Sequence, residues 1–153
     1  MTNDERYGPP AIQIDGLRVW VYGYEYGEAQ DAWDGNWLRV TAHCAESGAS
    51  VVVSGTILDT VSFARFHREL TAVYERLEGA AILESLEPEL KVEVRAVGAA
   101  GRIELCVDIT PDQLRQSHRF FFELDQSYLP DVLRACERLL EQYPVRDAAA
   151  RGV

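Results

Sequence analysis

Apolar and polar positions alternate along most of this chain, and that period of two predicts strands before any other feature does. Ile12 to Tyr26 reads as one or two strands, with Asp15-Gly16 as a favoured turn pair between them. Val19 and Val21 fall on one face of that stretch, and Trp20, Tyr22, Tyr24 and Tyr26 on the other. Leu38, Val40, Ala42 and Cys44 then alternate with Trp37, Arg39, Thr41 and His43. Glu46 to Ser50 reads as a hairpin loop and Val51 to Leu58 as the returning strand. The period next changes. Phe63, Phe66, Leu70, Val73 and Leu77 recur at steps of three and four, the stripe of an amphipathic helix. Asp59, Thr60 or Ser62 can cap its start, and Gly79 suits its end.

The second half returns to alternation in Ala81–Leu86, Leu90–Ala96, Ile103–Ile109 and Phe120–Leu124. Ser127 to Tyr143 again has helical spacing, with Pro130 fitting the first turn and Pro144 ending it. The order is β-β-β-α-β-β-β-β-α. Polar residues at every second strand position imply antiparallel strands with a solvated face. The expectation is a two-layer α+β fold, with a predominantly antiparallel sheet of about six or seven strands and two amphipathic helices on one face. Residues 1–10, polar and ending in Pro9-Pro10, are expected to form a loose arm. Residues 11–146 read as a single domain, and 147–153 as a tail that frays.

Composition narrows the chemistry. A chain of 153 residues with 47% hydrophobic and 26% charged residues is long enough for a globular core. Its 25 acidic and 15 basic residues leave a net charge of −10, which opposes nucleic-acid binding. The same charge would speed encounter with a cationic partner. Cys44, Cys106 and Cys136 are odd in number and widely spaced, which suits buried reduced thiols better than a disulfide framework. No run approaches the length of a membrane span, and residues 1–10 have no apolar signal core, so a cytoplasmic location with no membrane partner is expected.

The segment between Arg18 and Arg39 contains no cation. It carries Glu25, Glu28, Asp31 and Asp34, with Trp33 and Trp37 bracketing an Asp-Gly-Asn turn. These four carboxylates invite a metal reading, yet the calcium-loop template fails at Ala32. A solvated acidic loop is the simpler reading, and no cofactor is expected. His43 and Cys44 are adjacent on a strand and so point to opposite faces, which prevents them from acting on one atom. The sequence has no nucleophile elbow, zinc-protease helix, phosphate loop or dinucleotide fingerprint. A small hydrolase or metal-dependent enzyme built on the acidic loop stays open as an alternative. So does an oligomeric scaffold that self-associates through the Trp20-Tyr22-Tyr24-Tyr26 row.

Four stretches together carry a resemblance. Tyr24-Glu25-Tyr26 leads to Asp31-Ala-Trp-Asp-Gly-Asn-Trp-Leu38, followed by Leu83-Glu-Ser-Leu-Glu-Pro-Glu-Leu90, Asp125-Gln-Ser-Tyr-Leu-Pro130 and Tyr143-Pro-Val-Arg146. In that order, over about residues 24–146, the chain resembles the WapI-like immunity proteins of bacterial polymorphic toxin systems. The Trp-Asp-Gly-Asn-Trp-Leu run is the most specific of these. The resemblance implies a non-enzymatic antidote that binds the C-terminal domain of a cognate toxin, often a nuclease with a basic cleft. On that reading Glu25, Glu28, Asp31 and Asp34 are candidate steering charges and Trp33 a candidate aromatic anchor.

Overall fold

The computed structural model describes residues 7–28, 34–98 and 100–146. Four strands come first: β1 (Ile12–Ile14), β2 (Leu17–Tyr24), β3 (Trp37–Glu46) and β4 (Ala49–Asp59). Helix α1 (Thr60–Arg76) follows, then β5 (Ala80–Glu84), β6 (Leu90–Val97), β7 (Arg102–Ile109) and β8 (Arg119–Asp125). A 3₁₀ turn at Gln126–Tyr128 leads into α2 (Leu129–Gln142). The α+β class and the antiparallel pairing are as the alternation predicts. The strand count is higher, at eight, because the Asp15-Gly16 turn does divide the first stretch into β1 and β2.

Those eight strands form two sheets of four, each a simple meander, β1-β2-β3-β4 and β5-β6-β7-β8. Each meander is followed by one helix, so the chain repeats a four-strand-plus-helix unit. The inner residues of both sheets and the apolar stripes of both helices meet in a single buried cluster. Ile14, Val19, Val40 and Ala42 enter it from the first sheet, and Leu83, Val92, Leu105 and Val107 from the second. Phe63, Phe66 and Leu70 of α1 and Leu129 and Cys136 of α2 are also fully buried there. The sheets touch where Gly16 lies under Phe122 of β8. A Cβ at Gly16 would sit 2.4 Å from the Ala45 carbonyl oxygen and 2.8 Å from the Phe122 ring.

Local signals set the element ends. Asp59 caps α1 by accepting the Ser62 amide at 2.7 Å and the Ser62 hydroxyl at 2.6 Å. At the other end the left-handed residue is Leu77 (φ 54°), whose amide reaches the Val73 carbonyl, with Gly79 two residues beyond. The Ser47-Gly48 turn has positive φ at both residues, the conformation that joins strands tightly.

One expectation from the alternation fails. The tyrosines of β2 do not share a face, because register shifts between Val21 and Gly23 and places Tyr22 in a bulge. Tyr24 therefore pairs with Leu38 and packs against the core, while Tyr22 stays exposed and Trp20 is buried. Tyr7 lies over Trp20 with ring centroids 5.3 Å apart, and the Trp20 indole donates to the Gly8 carbonyl at 2.7 Å. A continuous Trp20-Tyr22-Tyr24-Tyr26 self-association row does not exist.

Candidate partner-binding face

Asn36 organises the region around the acidic segment. It is fully buried, and its amide group donates to the Arg146 carbonyl at 3.1 Å while its side-chain oxygen accepts the Arg146 amide at 2.7 Å. Its own carbonyl accepts the Thr60 amide at the start of α1. The chain after α2 is thus strapped back onto the loop before β3. Tyr24 reinforces the strap: its hydroxyl donates to the Pro144 carbonyl at 2.5 Å, and its ring meets Tyr143 edge-on at 5.6 Å. The Arg146 guanidinium stacks 3.5 Å from the centre of the same ring, a cation–π contact, and also reaches the Tyr26 and Gly27 carbonyls. Burial raises the Tyr24 phenol above its ordinary pKa, against the opposing pull of Arg146. The Asp-Gly-Asn stretch is therefore structural at Asn36, where a short amide side chain satisfies two backbone groups of a distant segment.

The predicted site residues divide accordingly. Glu25, Glu28 and Asp34 are exposed. Glu25 is held in place by the Thr56 hydroxyl at 2.9 Å and by its own amide, which donates to the Trp37 carbonyl. Asp31 and Trp33 lie outside the described residues. Trp37 is half-buried and opens, with Asp34, Val61, Arg65 and Leu86, onto a groove of about 540 Å³ beside the start of α1. Leu86, 91% exposed, also borders a neighbouring depression that runs toward the Thr110–His118 loop, whose Leu114 is 95% exposed. The alternation had placed Leu86 at the end of a strand; β5 stops at Glu84, and Leu86 projects from the connecting loop. Among the described residues no three His, Cys, Asp or Glu side chains converge in a way that could hold a metal ion.

The histidines and cysteines are separated. His43 meets the Ser50 hydroxyl at 2.7 Å on the outer side of the first sheet. Cys44 points into the core, where burial first, and then the nearby charges of Asp15 and Glu46, pushes its thiol up to about 12. Burial does the same to Cys136, also to about 12. Cys106 departs from the expectation of three buried thiols: it is only half-buried, on the outer side of the second sheet opposite Phe121. No described His–Cys pair is arranged for nucleophilic chemistry.

The first and last of the stretches that carried the sequence resemblance meet in space at this strap, through Tyr24, Asn36 and the Tyr143–Arg146 segment. A family model, the immunity protein WapI-like family, matches residues 11–144. The chain belongs to the WapI-like immunity protein family. No curated protein matches it. Among solved structures it is similar to WHY1 from Arabidopsis thaliana, at 8% identity and a TM-score of 0.50, over 84% of each chain. It is also similar to the plant transcriptional regulator PBF-2, at 9% identity and a TM-score of 0.46, over 83% of this chain and 75% of that one. At such identities the likeness to WHY1 concerns the fold alone, and the weaker one carries no argument. For a WapI-like protein the exposed carboxylates beside a rigid strap are the features to weigh.

Proposed function

We propose that this protein is a non-enzymatic antidote that neutralises the C-terminal domain of a cognate toxin by binding it directly. Membership of the WapI-like immunity family is the observation that carries the reading. The charge agrees with it. A chain of net charge −10 attracts a basic domain over long range, and a nuclease presents such a basic cleft to its substrate. Glu25, Glu28, Asp31 and Asp34 are the proposed steering charges, and Trp33 the proposed aromatic anchor. Glu25 is held by Thr56, and Asp34 lies two residues before Asn36, which is tied to Arg146, so these two carboxylates would meet the toxin pre-positioned, with less ordering to lose on binding.

Co-expression with the toxin domain encoded beside it, followed by calorimetry on the purified pair, tests the reading. Protection of the producing cell and a one-phase binding isotherm are expected. Continued killing with no detectable complex overturns it. Reversing the charge at Glu25, Glu28, Asp31 and Asp34 together should slow association and flatten its salt dependence, with a smaller change in dissociation. An association rate equal to that of the unaltered protein would move the steering charges elsewhere on the molecule.

A further inference from the structure

Strand β4 ends the first sheet, and no described residue pairs with its outer edge. Parity along the β3–β4 ladder tells which of its backbone groups face outward. The Ala45 amide donates away from β4 to the Gly16 carbonyl, and Ala45 is paired with Ser50. Ser50, and by alternation Val52 and Ser54, therefore direct both N–H and C=O to the free side. Their own side chains look onto the solvated face, where Val52 is 39% exposed. None of these three residues has a backbone partner across that edge among the described residues. The run Ala49-Ser-Val-Val-Val-Ser-Gly55 carries no charge and no proline, and the bulge at Thr56-Ile57 ends it.

Protein sheets normally protect long edges with charges, prolines or covering elements. The other three edges here follow that rule. Strand β1 has three residues. The outer edge of β5 is closed by α1, with the Ile82 amide donating to Glu69 at 3.0 Å and Arg65 donating to the Glu84 carbonyl at 2.9 Å. Strand β8 carries Arg119, Glu123 and Asp125. An uncharged, β-branched, unprotected edge in the same molecule is a template for one more strand.

Charge selects the occupant. Glu46 stands at one end of the open run, and Glu25, bonded to Thr56, at the other. A second copy pairing antiparallel about Val52 would set Ser50 against Ser54, and so bring Glu46 of one copy toward Glu25 of the other. Two chains of −10 charge would meet at their acidic ends. A strand with an uncharged centre and basic residues at both ends meets no such repulsion.

We propose that the β4 edge at Ser50, Val52 and Ser54 is the docking site for an extended, basic-flanked segment of the toxin domain, which adds to the first sheet as a fifth strand. This deepens the antidote reading and rests on it. The three residues offer three donors and three acceptors in a fixed row, while Glu25 and Glu46 hold the ends of the incoming segment. The test uses the intact protein and the toxin C-terminal domain encoded beside it. In the complex, the amides of Ser50, Val52 and Ser54 should exchange with solvent at least about tenfold more slowly than in the free chain. A Val52→Pro variant, which removes one outward donor and leaves the β3 ladder intact, should bind at least about tenfold more weakly with an unchanged circular dichroism spectrum. A complex that forms while those three amides exchange as in the free chain overturns the edge proposal and leaves the antidote reading standing, and this readout does not depend on the variant folding. No complex with the unaltered protein overturns both. A dimer in sedimentation whose three amides are already protected without toxin assigns the edge to a second copy, and overturns the proposal.

Discussion

The two sheets have the same meander and are finished in opposite ways. On the outer side of the second, charge is satisfied internally: Arg95 pairs with Glu104 at 2.9 Å, Arg102 with Glu123 at 3.4 Å and Arg119 with Asp108 at 2.6 Å. Its β5 edge is closed by side chains from α1. On the first sheet the outer side carries Thr41, His43, Ser50, Val52 and Ser54, with Ser54 bonded to Thr41 and Ser50 to His43. Among the described residues its long edge has no backbone partner, and the exposed Glu25 and Asp34 lie toward the end held by Asn36 and Arg146. A face whose charges already neutralise one another offers little to a cationic partner. One with an open row of backbone groups and exposed carboxylates offers both. On the proposed reading the first sheet is the working half and the second its support.

Five substitutions would break or sharpen that contrast. The largest effect is expected at the joint between the sheets: Phe122→Ala removes the ring lying over Gly16 and should cost about 3–5 kcal/mol of unfolding free energy in a urea titration. A loss confined to the second sheet, with the first still cooperative, would show that the halves fold separately. A matched pair of prolines comes next. Ile82→Pro deletes an amide donated to the Glu69 carboxylate and should cost about 1.5–3 kcal/mol, since the acceptor is charged. Val52→Pro deletes an amide with no backbone partner among the described residues, so its melting temperature should stay clearly above that of Ile82→Pro. Equal losses would mean that the two edges are not differently finished. Asn36→Ala leaves two backbone groups of Arg146 without their partner and should cost about 1–3 kcal/mol, with faster amide exchange at Arg146 as the local sign. Least of all, Arg95→Ala breaks a surface ion pair and should change stability by less than about 1 kcal/mol. A larger loss would mean that the charged ladder does more for the second sheet than screen it.

Much of this was legible in the residues. Alternation located seven of the eight strands, and the Asp15-Gly16 pair marked the division that makes the eighth. The helical stripe of Phe63, Phe66, Leu70 and Val73, and Asp59 as its cap, stand as read. The tyrosine row misled because alternation assumes an unbroken strand, and one extra residue at Tyr22 turns Tyr24 to the opposite face. The value of Asn36 was hidden, since both backbone groups that its side chain holds belong to a residue 110 positions away. The open edge left a faint trace in the uncharged Ala49–Gly55 run, though an interior strand of a sheet has the same composition.

What the sequence determined by itself is whatever depends on neighbours along the chain: strand and helix periods, turn residues, caps, the −10 charge and the family signature. Only the tertiary structure decided that eight strands become two sheets and that α1 seals the edge of β5 while no described residue pairs with the edge of β4. It alone brought Tyr24, Asn36 and Arg146 to one strap. The physical reason is that a period of two fixes which face a side chain takes and says nothing of which strand lies beside it. Backbone hydrogen bonds are identical at every position, so the partner of an edge is chosen by packing and by side chains far away in the chain.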